Sequence, residues 1–154
     1  MIKLFLTDVD GVMTDSGMYY TESGDEFKKF NTKDGKAFEL LRNKNIKTGI
    51  ITSENTKIVL NRAKKLKVDY LFQGAVNNKL SIIKELCQKE KININDVAYV
   101  GDDINDLELL KEVGIAACPI DAVSKIKQIE DIIILKSKGG EGVVREFVEY
   151  FINN

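Results

Sequence analysis

The chain opens on a near-continuous apolar run over residues 2–6 that ends against two carboxylates, Asp8 and Asp10, with one valine between them and Gly11 behind. Such a run predicts a strand buried on both faces, as in parallel sheets. From residue 35 onward, apolar stretches of strand length alternate with stretches of helical period. Strands are predicted over 46–51, 70–72, 97–100, 115–117 and 131–135, and helices over 35–43, 56–66, 78–89, 107–113, 122–129 and 143–152. In the helix over 78–89, Leu80, Ile83, Leu86 and Cys87 share one side. The alternation predicts an α/β fold, a doubly wound and mostly parallel Rossmann-like sheet with right-handed crossovers.

One stretch breaks the rhythm. Residues 12–20 and 26–30 predict a β-hairpin inserted after the first strand, turning through Thr21, Glu22, Ser23, Gly24 and Asp25. Met18, Tyr19, Tyr20, Phe27 and Phe30 give it more apolar surface than a small ribbon hides, so it is expected to pack on a second subunit. No repeat, linker or low-complexity segment divides the chain, and residues 1–154 read as one domain.

Composition narrows the chemistry mainly by what is absent. With 44% hydrophobic residues, 31% charged residues and a net charge of −1, the chain offers no basic surface for nucleic acid and no apolar run long enough for a membrane. A first strand beginning at once leaves no room for a signal peptide, and Cys87 and Cys118 read as buried free thiols. A cytoplasmic enzyme is the expectation. There is no histidine, which excludes a Ser-His-Asp triad, a His-ligated metal and a His general base. Acid–base work falls to carboxylates, lysine, tyrosine, cysteine or water.

Four predicted strand ends carry polar groups: Asp8 with Asp10, Thr52 with Ser53, Lys79 one strand later, and Asp102, Asp103 and Asp106 after residues 97–100. Open α/β sheets gather such ends at one crevice. Each has an ordinary reading as well: Thr52, Ser53 or Asn55 as a helix cap, Lys79 as a solvated side chain, Gly101-Asp102-Asp103 as a turn. Together, with alternating sign, they form a coherent site. Asp8 and Asp102 offer hard oxygens to Mg²⁺, with Asp10 close by, and Thr52, the Ser53 amide and Lys79 could face that metal across a phosphate. One carboxylate could then attack phosphorus while another protonates the leaving oxygen.

These motifs, Asp8-Val9-Asp10-Gly11-Val12, Thr52, Lys79 and Gly101-Asp102-Asp103-Ile104-Asn105-Asp106, resemble in order those of the haloacid dehalogenase-like phosphatases. The resemblance implies Asp8 as nucleophile and Asp10 as general acid/base. It implies Asp8, the Asp10 carbonyl and Asp102 as Mg²⁺ ligands, Thr52 and Lys79 as phosphate holders, and Asp103 and Asp106 as supporting acids.

No segment is long enough to be a cap domain. The chain therefore looks like the capless branch that includes phosphatases of 2-keto-3-deoxy sugar acids, where hairpins assemble a homotetramer and neighbouring subunits complete each site. The run from Asn31 through Thr32 to Gly35, Gln73-Gly74 and the loop of Gly139, Gly140, Glu141 and Gly142 also look like that branch, the loop being expected to bend toward a neighbour's mouth. Resemblance places Thr32, Ser53, Glu54, Asn55, Thr56, Arg62, Lys65 and Asn105 on the substrate side. Thr52-Ser53-Glu54-Asn55-Thr56 is similar to phosphatases of nine-carbon, sialic-acid-type sugar 9-phosphates, since relatives acting on the eight-carbon acid tend to carry a basic residue at Glu54. The nine-carbon substrate is thus the first expectation and the eight-carbon 8-phosphate the second. Ser53 departs from the glycine of many relatives. A receiver domain or a non-catalytic regulatory relative is the contrasting class, which Mg²⁺-dependent turnover of p-nitrophenyl phosphate would exclude.

Overall fold

The computed structural model describes residues 1–153. Six strands, β1 (Leu4–Thr7), β4 (Lys47–Ile51), β5 (Tyr70–Phe72), β6 (Val97–Val100), β7 (Ile115–Cys118) and β8 (Ile133–Ile134), form one sheet in the order β5-β4-β1-β6-β7-β8. Every pairing within it is parallel. A separate two-stranded antiparallel ribbon joins β2 (Tyr19–Tyr20) to β3 (Glu26–Phe27).

The pleat explains why the central strands are apolar on both sides. Phe5 of β1 faces a core shared with helices α1 (Thr32–Asn43), α2 (Lys57–Leu66) and α6 (Val143–Ile152), through Phe38, Val59 and Phe147. Leu4 and Leu6 face the opposite core, built with α3 (Lys79–Glu90), α4 (Leu107–Glu112) and α5 (Ser124–Lys127), through Ile83, Leu109 and Ile126. In β6 the same alternation sends Ala98 and Val100 one way and Val97 and Tyr99 the other. The doubly wound architecture is therefore as expected, and Cys87 and Cys118 are buried free thiols.

Four expectations need correction. The hairpin shrinks to two residues per strand, because residues 12–14 belong to a turn and not to a strand. The Val12, Met13 and Thr14 amides all converge on the Val9 carbonyl, and Val12 and Met13 enter the core. Beyond them, Ser16 adopts a left-handed φ of 66° and Asp15 Oδ1 accepts the Gly17 amide, so an extended strand cannot begin. Helix α1 starts at Thr32, earlier than expected, since Asn31 caps it by accepting the Lys33 amide at 2.8 Å. Helix α5 is only four residues long, because the Val123 amide donates to the Asp102 carbonyl and Val123 stays extended. The last strand starts late, at Ile133, behind Asp131 with a φ of 61°.

No helix among the described residues is long and apolar enough to cross a membrane.

Candidate active site

From β1 the chain fills one flank of the sheet with β4 and β5, then returns to the other flank with β6, so the order reverses beside β1. Ligands of open α/β sheets bind at the carboxyl side of such a reversal. A cavity of about 260 Å³ lies there, lined by Asp8, Asp10, Ser16, Thr52, Ser53, Glu54, Asp102, Asp103 and Asn105. Asp8 directly follows β1, and its amide donates to the Val100 carbonyl at 3.0 Å, which ties it to the end of β6. Gly11, with a φ of 84°, turns the chain away. A Cβ on it would lie 1.9 Å from Asp102 Oδ2, so a larger residue would both strain the turn and displace the Asp102 carboxylate.

Behind the cavity lies a sealed charge network. Lys79, the first residue of α3, places Nζ 3.0 Å from Asp8 Oδ1 and 2.6 Å from Asp106 Oδ1. Asp106 Oδ1 also accepts the Tyr99 hydroxyl, while its Oδ2 accepts the Asp102 and Asp103 amides at 2.9 and 3.2 Å. Burial works against the Lys79 charge, but Asp8 and Asp106 outweigh it and hold the ammonium more firmly protonated than usual. Burial and then Asp106 push the Tyr99 hydroxyl well above its ordinary range, so it stays a neutral donor.

The carboxylates Asp8, Asp102 and Asp106 each bring an oxygen within 4.8 Å of the others. Asp106 spends both oxygens on hydrogen-bond donors, whereas Asp102 Oδ1 is buried with no partner. Burial, then neighbouring acids, push Asp8 up to about 7 and Asp102 up to about 8. Two crowded carboxylates with a free buried oxygen are the donor set that a hard divalent cation fits.

The other wall is polar and partly prearranged. Thr52 is buried and its hydroxyl accepts the Glu54 amide at 3.3 Å. Ser53 Oγ accepts from Asn105 Nδ2 at 2.9 Å and donates to the Ala75 carbonyl at 3.3 Å, so the serine side chain links two rims of the cavity. Glu54 lines the mouth and is exposed; Asn55 is also exposed but does not line the cavity. Thr56 instead caps α2, its hydroxyl accepting the Val59 amide at 3.2 Å.

Thr32, Arg62 and Lys65 are not brought to this cavity within the subunit. They line a separate hollow of about 330 Å³ between α1 and α2. Arg62 donates to the Asn31 carbonyl and stacks over Phe30 at 5.3 Å. The glycine loop does not reach outward at Gly139 and Gly140 either. Gly139 packs under the β1 turn, where a Cβ would meet the Gly11 carbonyl oxygen at 2.1 Å, and the Gly140 amide donates to the Val12 carbonyl at 2.9 Å. Small residues are there so that two backbones can touch.

Three site residues were invisible to pattern reading: Ser16, Tyr99 and Lys28. Tyr99 sits in an apolar strand, and the one available signal was that a buried phenol needs a partner. Lys28 follows the ribbon and ion-pairs with Asp10 Oδ1 at 2.6 Å, a contact no periodicity announces.

Comparison with known proteins agrees with this geometry. The family model described as haloacid dehalogenase-like hydrolase matches residues 74–147. The chain is 34% identical over 151 residues to the 3-deoxy-D-manno-octulosonate 8-phosphate phosphatase of Escherichia coli K12, covering 98% of this chain and 79% of that one. The Moraxella catarrhalis phosphatase of the same name, solved with magnesium, phosphate and KDO, superposes with a TM-score of 0.93 at 34% identity, over 99% of this chain and 86% of that one. A probable YrbI family phosphatase from Pseudomonas syringae gives 0.94 at 39% identity, over 99% and 85%.

Proposed function

Because this chain belongs to the haloacid dehalogenase-like hydrolases, in the capless branch of the 3-deoxy-D-manno-octulosonate 8-phosphate phosphatases, we propose that it hydrolyses the phosphate monoester of a 2-keto-3-deoxy sugar acid, the eight-carbon 8-phosphate first. The observation that carries the chemistry is Asp8 paired with the Lys79 ammonium and clustered with Asp102, which keeps a buried oxygen without a partner. Asp8, Asp102 and the Asp10 carbonyl hold Mg²⁺, which supplies charge neutralisation at the phosphate oxygens.

The chain's own residues do the rest. Lys79 and Thr52 hold the phosphate, with the Ser53 amide as a further donor. Asp8 attacks phosphorus to form an aspartyl-phosphate. Asp10 gives a proton to the departing alkoxide and later takes one from the attacking water. Asp103 and Asp106 support the loop, Asp106 by fixing Lys79 and the Asp102 and Asp103 amides. Glu54 and Asn105 lie on the sugar side with Asn55 next to Glu54, while Thr56 fixes the start of α2. Thr32, Arg62 and Lys65 serve a neighbouring subunit's site in a homotetramer, where a guanidinium suits the sugar carboxylate.

Glu54, exposed on the cavity rim, favours a second reading, the nine-carbon 9-phosphate, because a carboxylate there accepts sugar hydroxyls. The deciding measurement is kcat/KM on both sugar phosphates for the wild type and Glu54→Arg. Preference for the eight-carbon ester by the wild type supports the first reading. A nine-carbon preference that Glu54→Arg reverses supports the second, and no Mg²⁺-dependent turnover of either ester would defeat both.

A further inference from the structure

The Lys28 side chain is only 1% exposed, although it follows a two-residue strand in a ribbon whose Tyr19, Tyr20 and Phe27 are exposed. Its Nζ lies 2.6 Å from Asp10 Oδ1 and 3.2 Å from Glu26 Oε1. Burying an ammonium is costly, and it persists where a specific partner holds it. The contact would be wasteful if its only purpose were to fasten the ribbon, because apolar packing does that without desolvating a charge. Its target is a particular oxygen of a partly exposed acid that lines the cavity beside Asp8.

We propose that Lys28 is a positioning residue for the reaction. It anchors Asp10 Oδ1 and so leaves Oδ2 as the oxygen that exchanges the proton with the substrate. This rests on the function proposed above and deepens it. In the first half-reaction an Asp8 oxygen bonds to phosphorus, the ester P–O bond breaks, and the proton on Asp10 Oδ2 passes to the departing alkoxide oxygen. An unanchored aspartate at the cavity edge can turn about two side-chain torsions, and small misplacements of a proton donor are expensive in rate. The hairpin thereby becomes part of the catalytic apparatus, since it delivers the group that orients the acid.

The leaving group separates this from a structural role. A sugar alkoxide needs a proton to depart, whereas p-nitrophenolate leaves as an anion, and kcat/KM reports only steps through that departure. With saturating Mg²⁺, Lys28→Met is expected to lower kcat/KM roughly 10–100-fold on the sugar phosphate and by less than about threefold on p-nitrophenyl phosphate. Added to Asp10→Asn, it is expected to cost nothing further on the sugar ester, because it acts through Asp10. Equal losses on both esters, no loss on either, or multiplicative losses in the double variant would overturn the inference. If the methionine variant does not fold, Lys28→Gln, polar but shorter and uncharged, carries the comparison, with a smaller loss on the sugar phosphate that still exceeds the loss on p-nitrophenyl phosphate. Failure of the functional proposal looks different, as the wild type itself would then leave both esters intact.

Discussion

Lys79 Nζ stands 2.6 Å from Asp106 Oδ1 with both side chains sealed from solvent, and the same ammonium reaches Asp8 at 3.0 Å. One cation therefore balances two acids in a place where water cannot. Lys79→Met leaves three carboxylates crowded together, and the metal-free variant is expected to lose about 3–5 kcal/mol at pH 8. Mg²⁺ should restore part of that loss but not the activity, because the phosphate loses a donor. Urea unfolding with and without Mg²⁺, alongside phosphatase assays, checks both halves.

The raised values of Asp8, about 7, and Asp102, about 8, fix how metal binding responds to pH. Both groups carry protons in the metal-free protein on the acid side of these values and must shed them to ligate. Mg²⁺ affinity is expected to rise steadily from pH 6 to pH 8 with net proton release. Titration calorimetry in two buffers of different ionisation enthalpy reads that release directly.

Asp34 gives a stability effect away from the chemistry. Burial pushes it up to about 6, although it accepts the Arg145 amide at 2.9 Å. A carboxyl raised in the folded state contributes stability fully below its unfolded value, and that contribution is lost as pH rises through about 6. Asp34→Asn has no such loss. Relative to the wild type, the variant should gain as pH rises from about 4 to 7, by roughly 2–3 kcal/mol, and level off beyond. Thermal melts across that range test the sign.

Glycine packing makes a sharper claim. A Cβ at Gly139 would sit 2.1 Å from the Gly11 carbonyl oxygen, so Gly139→Ala must push apart the loop before α6 and the turn after β1. A cost of about 1–3 kcal/mol is expected from overpacking. Activity should fall further than stability explains, because the displaced turn carries Asp10. Parallel measurement of Tm and kcat decides this.

Much of this was legible because the sheet writes its own pattern. The apolar runs of β1, β4 and β6 end where the polar residues begin, so Asp8, Thr52 and Asp102 could be assigned to one crevice from spacing alone. The illegible parts depend on partners far along the chain. Lys28 has meaning only once the ribbon folds back on Asp10, and Gly139 only once its loop meets Gly11. Tyr99 looked like any strand residue because its role lies in the hydroxyl, which hydropathy does not weigh. The hairpin was overdrawn for a related reason: the adjacent apolar residues Val12 and Met13 are buried in a turn, and burial alone does not tell a turn from a strand.

The ribbon itself supplies the last test. Tyr20 and Phe27 are 58% and 56% exposed, Met18 is 52% exposed, and Tyr19 meets Phe27 at 6.4 Å without covering it. Two-residue strands do not sustain such a surface alone. In the homotetramer we propose, these rings are the contact, and Phe27→Glu would bury a charge there. Sedimentation should then show smaller species than the wild type at equal concentration. Lys28 adjoins Phe27, so the dissociated variant is expected to lose more activity on the sugar ester than on p-nitrophenyl phosphate, following the Asp10 dependence argued for Lys28→Met. A wild type that sediments as a monomer would instead mean that the ribbon holds Lys28 in place unaided, and Phe27→Glu would leave the ratio of the two activities unchanged.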